Sequence, residues 1–505
     1  MTIAGWMDGL EKRDIALSIT GDQIRYQSPR DALTEVDKHA LRARRDEVIT
    51  YLAARQAARN LRAAKGVSGA LTPSVTQEMW RAWAGGAQEG VPFALNIAMV
   101  GTFRHDAASV TAAIHKVITR HDALRARFER QGPGLRAFLN PADSFVVEQQ
   151  DLRSLSPDDA AAVADDEANA FRALLNPIEG QWLTRAKVFA LPDNQSLAII
   201  SSSHMIVDGG TRNIVLDEIH DILDHGEAQA TPSESYNDFS LAERMFLVGP
   251  EGKQLIDYWR RWYRDQPVMK APSDGKVLMW GNGVRIVKIF RIPKRVLGKV
   301  RRLAEELSAS PFLIYLTIFA ITLSRWSGME CFPLRLLGDK RTSFELANTV
   351  GMMFCADAME IHAPANQNFE TIMRNIQIEY DSALSLRLPS LHYWAPHCVH
   401  PGIEAPDHPN KIPAAFNYYS VVTSRERAEA KTAPDTTAAL PWPPDITTLP
   451  PQTWPRRSSP LFLHLSDEGS QASASLHFYQ DVISPADQKL FIDLLFQVFS
   501  EVVPT

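Results

Sequence analysis

Ser201-Ser202-Ser203-His204-Met205-Ile206-Val207-Asp208-Gly209-Gly210 is the stretch of this chain best suited to chemistry. An imidazole takes up and returns a proton near neutral pH, so His204 is a candidate general base. It follows an apolar run, Leu197, Ala198, Ile199 and Ile200, that reads as a strand. Asp208 comes next, and Gly209 and Gly210 let the chain bend and let a substrate approach the backbone. Beyond the bend, Ile214, Val215, Ile219, Ile222 and Leu223 carry helical spacing. A strand, a turn and a helix would therefore hold one histidine rigidly. The same residues also fit a histidine merely satisfied at a strand end beside an Asp-Gly turn. His-x-x-x-Asp-Gly alone is a weak signal, and the rest of the chain has to decide.

At 505 residues the chain is too long for one core, and two or three globular units are expected. Hydrophobic residues make up 45% and charged residues 22%, an ordinary soluble composition. A net charge of −6 argues against a nucleic-acid partner. No run approaches the roughly 18 apolar residues of a membrane span, and Met1-Thr2-Ile3-Ala4-Gly5-Trp6 lacks a signal-peptide layout. No membrane partner is expected, and the cytoplasm is the expected compartment. Cys331, Cys355 and Cys398 have neither the number nor the spacing of a disulfide framework or zinc site, so no metal is expected. From Lys38 to Lys65 the chain is locally basic, which suits either a solvated helix face or a surface for an acidic partner.

Three blocks position these residues. In 1–60, Ile15, Leu17 and Ile19 alternate with small residues, Gly21-Asp22 supplies a turn, and Ile24 and Tyr26 resume the alternation, a hairpin pattern. Thr34 can then cap a helix through Leu41, Val48 and Leu52. So small a unit at the front of a large chain is better suited to recruitment than to catalysis. The segment Ala57–Ser68 reads as a helix extension or linker. Block 70–235 mixes strands and helices, with a strand at Ala94–Val100 and a helix at Ala107–Thr119. Block 236–505 repeats the mixture: a strand at Val287–Arg291, a helix at Arg295–Glu306, and a buried apolar helix at Pro311–Ser327. The proline-rich stretch 431–460 is expected to be a surface excursion without ladders or helices.

The separated motifs together resemble the condensation domains of nonribosomal peptide synthetases, within the chloramphenicol-acetyltransferase-like superfamily. Leu71-Thr72-Pro73 with Gln77 and Met79 is similar to the opening motif, and Arg120–Phe128 to the Arg-His-x-x-Leu-Arg-x-x-Phe motif. His204–Gly209 is similar to the His-x-x-x-Asp-Gly end of the active-site motif. Arg341 before Val350-Gly351, Phe416-Asn417-Tyr418, and Leu476–Val498 complete the series from about 70 to 500. Two departures stand out. Ser203 replaces the first of the family's two histidines, and Met352-Met353-Phe354-Cys355-Ala356-Asp357 departs from its usual Phe-Phe-x-Asn pattern. Residues 1–60, through Ile19-Thr20-Gly21-Asp22-Gln23-Ile24-Arg25-Tyr26, resemble the hairpin docking domains of assembly-line subunits.

These resemblances imply an α/β fold of two chloramphenicol-acetyltransferase-like lobes forming a V with a central tunnel, preceded by a small hairpin-and-helix docking domain. They imply a freestanding condensing enzyme that passes an acyl or peptidyl thioester to a hydroxyl or amine acceptor. The similarity to chain-releasing members implies a hydroxyl acceptor and an ester product. The thioester would ride on the phosphopantetheine arm of a carrier protein from an upstream synthase subunit, recruited through Ile19, Ile24, Arg25 and Tyr26. No cofactor need be bound to the chain itself. His204 takes the catalytic role by resemblance, with Ser203 supporting the backbone through its hydroxyl. Asp208 is either a second acid or the partner of Arg341 in a structural ion pair, the role the resemblance implies. His121 is either packed or catalytic. Gly209 and Gly210 are turn formers that a substrate can approach, and Gly210, Asn417 and Tyr418 either line the tunnel or pack. Two other classes share the fold, a coenzyme-A-dependent acyltransferase and a non-catalytic interaction domain.

Overall fold

The computed structural model describes residues 96–131, 134–174, 182–229, 235–248, 265–279, 281–341, 346–385, 412–420, 441–467 and 472–503, with Trp262, Tyr263, Gly469 and parts of 6–78. At the front, β1 (Ala16–Thr20) and β2 (Gln23–Gln27) pair antiparallel, with Leu17 opposite Tyr26, Ser18 opposite Arg25 and Ile19 opposite Ile24. The turn expected at Gly21-Asp22 lies outside the described residues, as do Ala57–Ser68 and Met79. Thr34 caps α1 (Glu35–Ala43): its hydroxyl accepts from the Asp37 N–H at 3.2 Å, and the Asp37 carboxylate accepts from the Thr34 N–H at 2.9 Å. Arg13 grips both Asp37 oxygens at 3.0 and 2.8 Å and holds that carboxyl well below the usual carboxylate range. Leu10, Ile15, Leu33, Val48 and Leu52 gather with Trp6, Leu17, Ile24 and Leu41 into a separate small core. Arg25 and Tyr26 stay exposed on β2.

The next unit runs β3 (Ala70–Leu71), β4 (Asn96–Phe103), α2 (Ala107–Arg120), β5 (Ala126–Gln131), β6 (Gly134–Leu139), β7 (Val147–Asp151), α3 (Pro157–Ala173), β8 (Thr184–Leu191), β9 (Gln195–Ser203), α4 (Gly209–His225) and α5 (Tyr236–Val248). Its main sheet has the order β4-β9-β8-β7, beside a smaller sheet β3-β6-β5. Strand β9 is covered on both faces. Ala198 and Ile200 join Val110, Ile114, Val117, Val215 and Ile219 of α2 and α4, whereas Leu197 and Ile199 pack with Ala160, Ala164 and Phe171 of α3. Double burial explains why the run before His204 is continuously apolar rather than alternating. Asp208 caps α4, and Gly226 ends it in the left-handed region at φ 84°. Tyr236 and Phe239 of α5 belong to this first core, which therefore extends beyond residue 235.

The last unit comprises β10 (Gly281–Ile292), α6 (Lys294–Glu306), α7 (Pro311–Ser327), β11 (Cys331–Asp339), β12 (Phe354–His362), α8 (Phe369–Ser385), β13 (Ala414–Ser420), β14 (Thr447–Thr448), β15 (Gln452–Ser458), β16 (Leu461–Asp467), β17 (Ala472–Tyr479) and α9 (Pro485–Val502). An eight-stranded sheet has the order β12-β11-β13-β16-β17-β10-β14, with β15 also on β10. Strand β13 runs parallel to both β11 and β16. Ser310 and Pro311 start α7, Gly328 ends it, and Leu313, Phe319, Leu323 and Trp326 bury against Phe332, Phe416, Phe478 and Phe491.

The proline-rich stretch needs correction within its described part, 441–460. Thr447–Thr448 and Gln452–Ser458 are strands on the outer side of β10, and Trp442 packs on Phe496 and Phe499 at 5.6 and 4.7 Å between ring centroids. Prolines survive there because an edge strand can spare N–H groups. Pro455 falls where the β15–β10 register shifts. Among the described residues, no single helix is long and apolar enough to cross a membrane.

Phe319 is fully buried at the centre of the larger core. Phe319→Ala should therefore lower unfolding stability by about 3–5 kcal/mol, read as a shift in urea midpoint with the slope unchanged.

Candidate active site

The turn between β9 and α4 is built so that one side chain escapes the core. Ser203 O accepts from the Ile206 and Val207 N–H groups at 2.9 and 3.3 Å, closing the turn. Met205, Ile206 and Val207 are fully buried, while His204 is only half-buried. Its Nδ1 lies 2.7 Å from the Val207 carbonyl oxygen. A carbonyl can only accept, so Nδ1 carries the hydrogen and Nε2 holds the basic lone pair. Burial pushes the His204 pKa down, and the Val207 carbonyl and the Asp208 charge offset part of that shift. The shift favours the neutral imidazole. Phe354 stands edge-on to the ring at 6.2 Å. The Ser203 hydroxyl accepts from the Met205 N–H at 3.3 Å, and Gln77 donates to the Met205 carbonyl at 3.1 Å. The opening motif thus holds the turn directly.

Asp208 is held on both oxygens by hydrogen bonds from Arg341 and the backbone. Arg341 Nη1 and Nη2 donate to its two oxygens at 2.9 Å each, a bidentate pair between groups 133 residues apart. Asp208 also accepts from the Thr211 N–H at 3.0 Å and the Met353 N–H at 2.8 Å. Arg341 donates further to Asp339 at 2.7 Å, Thr349 O at 2.8 Å, and Thr211 Oγ1 and Gly351 O at 3.1 Å each. Burial alone would push the Asp208 carboxyl up; the Arg341 charge and hydrogen bonds reverse this and hold it low. Asp339 moves the other way, raised by burial and by the Asp208 charge despite Arg341. A Cβ on Gly210 would lie 2.6 Å from Asp339 Oδ2 and 2.7 Å from Arg341 Nη1, so this glycine is where the ion-pair cluster passes over the backbone. A Cβ on Gly351 would sit 2.0 Å from the Tyr236 ring. A Cβ on Gly209 would make only ordinary contact, with Tyr419 at 3.7 Å.

Three groups tie the site together that sequence reasoning missed. Glu218 of α4 is buried, with one oxygen 2.7 Å from His121 Nε2 and the other 3.2 Å from Arg120 Nε. His121 therefore packs α2 against α4. Lys340 donates to Glu243 of α5 at 2.7 Å and to Thr76 at 3.0 Å, a second buried ion pair beside Arg341. Tyr419 is the third. Strand β13 sends Phe416 and Tyr418 toward the large core, where the Tyr418 hydroxyl donates to Asp467 at 3.0 Å, so Tyr418 does not share the face toward His204. Tyr419, one residue on, meets Gly209 and stacks obliquely on His464 at 4.9 Å. Asn417 shares that face, its amide 2.9 Å from His464 Nδ1. Burial pushes His464 down to about 4 and His477 to about 3, so both stay neutral there. In the front unit, Ile19, Ile24, Arg25 and Tyr26 sit together on the hairpin, well separated in sequence from the turn.

A half-buried histidine at a strand–turn–helix, beside an Asp–Arg pair that joins two α/β units, fits the condensation family of acyl- and peptidyl-transferring domains. The "Condensation domain" family matches residues 89–387, and the chain belongs to that family. The "TubC N-terminal docking domain" family matches residues 3–54. Among solved structures, the condensation domain that mediates chain release from the enacyloxin polyketide synthase aligns with 100% of this chain and 97% of its own, at 32% identity and TM-score 0.76. The EpoB cyclization-docking bidomain of Sorangium cellulosum aligns over 98% of each chain at 16% identity and TM-score 0.60, a likeness of fold. Phosphinothricin tripeptide synthetase PhsC of Streptomyces viridochromogenes is 26% identical over 292 residues, which is 55% of this chain and 26% of that protein. Bacitracin synthase 3 of Bacillus licheniformis is 24% identical over 58% of this chain and 4% of its own length. The chain thus spans about a quarter or less of these two relatives.

Removing one partner of a buried ion pair strands the other. Asp208→Asn and Arg341→Ala should each lose about 3–5 kcal/mol of stability, measured by thermal melting and soluble yield. Arg341→Lys should not rescue, because an ammonium cannot reproduce the forked grip. An Asp208→Asn protein with normal melting and no turnover would instead assign Asp208 to the chemistry.

Proposed function

We propose that this chain transfers an acyl or peptidyl group from the phosphopantetheine thioester of a carrier protein to the hydroxyl or amine of a small-molecule acceptor, and that its reaction is chain release by ester formation. The observation that carries this reading is the end-to-end likeness, at 32% identity, to a domain that mediates chain release from a polyketide synthase. His204 Nε2 takes the acceptor proton as the acceptor oxygen attacks the thioester carbon. The C–O bond forms, the C–S bond breaks, and the departing thiolate receives the proton back from His204. An alcohol needs this help more than a free amine does, since a neutral hydroxyl is the weaker nucleophile. The Gly209 N–H, in the first turn of α4, would serve as a donor to the developing oxyanion. The docking-domain match at 3–54 supports a protein-bound donor over soluble acyl-coenzyme A, which needs no protein handle. The exposed Arg25 and Tyr26 of β2 would meet the tail of an upstream subunit.

The test is the intact mass of an acylated carrier protein before and after addition of enzyme with candidate alcohols and amines. Loss of the acyl group only with an acceptor present supports the reading; unloading of acyl-coenzyme A with equal efficiency would replace it with the soluble-donor reaction. His204→Ala should fold normally and cut product formation by about 10²-fold or more, and a residual rate above about a tenth of the parent would remove His204 from the role of base. Because the His204 pKa is depressed, the acid limb of the pH–rate profile should fall below the ordinary histidine value, with a plateau across neutrality.

Deleting residues 1–60 should raise the apparent KM for a carrier bearing its native partner tail and leave the rate at saturating carrier unchanged, because docking acts through effective concentration. Identical titration curves for the two forms would mean that the front unit does not recruit that carrier.

A further inference from the structure

At the far end of the strands that build the active site lies a second cluster with a different chemistry. Cys331 opens β11 and His362 closes β12, and the antiparallel register sets these residues directly opposite one another. Glu360 precedes His362 by two positions and so shares its face of the strand. The Cys331 sulfur lies 4.0 Å from His362 Nε2, and that nitrogen lies 2.5 Å from Glu360 Oε1. All three donor atoms fall within 4.8 Å of one another.

We propose that Cys331, Glu360 and His362 form a binding site for a divalent transition-metal ion, with zinc the best fit. Zinc bonds of about 2.0–2.3 Å in tetrahedral geometry set donors roughly 3.5 Å apart, so the sulfur–nitrogen separation needs to close only slightly and the flexible Glu360 to move back. Thiolate, imidazole and carboxylate together select a late first-row ion over calcium or magnesium, which take oxygen donors. A groove of about 450 Å³ opens beside the cluster, lined by Cys331 and His362 with Glu330, Gln367, Asn375 and Glu379. It admits the ion, leaves the fourth position to water, and adds two carboxylates to the field that draws a cation. On binding, the sulfur forms the metal bond and its proton leaves to solvent, since a coordinated thiol is deprotonated outright.

The location suggests a use. Among the described residues β12 is the last strand of the eight-stranded sheet, and an ion shared by Cys331 and His362 clips it to β11. The opposite ends of the two strands carry Asp339 and Phe354, next to Arg341 and His204. Eight residue steps at about 3.3 Å put the ion about 26 Å from the catalytic turn, too far to join the acyl transfer. The site is structural, and it does not depend on the reaction proposed above.

Metal-stripped full-length protein titrated with Co²⁺ should bind one equivalent at this site with a near-ultraviolet thiolate-to-cobalt band, which Zn²⁺ then bleaches. Cys331→Ser should abolish the band, and His362→Ala should weaken binding at least tenfold. Both side chains reach the surface, so the variants should fold, as circular dichroism checks, and should retain carrier unloading. Absence of a thiolate band, or a band that survives in Cys331→Ser, overturns the site. Unchanged cobalt affinity in His362→Ala overturns it equally.

Discussion

The bidentate pair between Arg341 and Asp208 is the contact on which the rest of the site depends. Two buried charges are costly to remove from water, and their mutual attraction offsets this only when every remaining donor and acceptor is used. Here they are used. Arg341 reaches Asp208, Asp339, Thr349, Gly351 and Thr211, while Asp208 also takes the Thr211 and Met353 N–H groups. The network joins the first turn of α4 to the segment entering β12. That segment carries Phe354 against the His204 ring. The setting of the His204 ring is thus tied, through Phe354, to the ion pair beside it.

The same contact separates two roles a carboxylate beside a histidine could play. Each Asp208 oxygen is already held by Arg341 and by a backbone N–H, so it is poorly placed to share a proton with the imidazole. The hydrogen on Nδ1 goes to the Val207 carbonyl instead. That partner is neutral, and a neutral acceptor raises imidazole basicity less than a carboxylate would. With burial pulling the pKa down, His204 is a weak base that stays unprotonated across neutral pH. Under the function proposed above, such a base would suit an already activated thioester, for which positioning of the two reactants would supply much of the acceleration.

Much of the fold and the strand–turn–helix of the candidate site were legible in the sequence because their signals are local. The run at Leu197–Ile200, the Asp208 cap and the spacing through Ile219 lie within one strand–turn–helix. The α7 helix announces itself by unbroken hydrophobicity from Pro311. What stayed hidden depends on partners distant in sequence. Nothing near Glu218 says that it receives Arg120 and His121, and nothing near Lys340 points to Glu243. Adjacent tyrosines on β13 are indistinguishable until the phase of the strand is known, because a shift of one residue exchanges the two faces. Phe416, buried in the large core, sets that phase and sends Tyr419 rather than Tyr418 toward Gly209. The prolines at 450, 451 and 455 read as an excursion since composition does not reveal an edge strand.

Strand pairing explains a further difference between linear and spatial reading. Cys331 and His362 are far apart in sequence and match no linear metal motif, yet register places them opposite one another. Strands β11 and β12 therefore carry two tasks at their two ends. One end delivers Asp339, and just beyond it Arg341, to the His204 turn; the other brings Cys331 and His362 together at the end of the sheet. The unbroken register from Cys331 opposite His362 to Asp339 opposite Phe354 keeps the two ends eight residue steps apart, so what happens at one end is separate from what happens at the other.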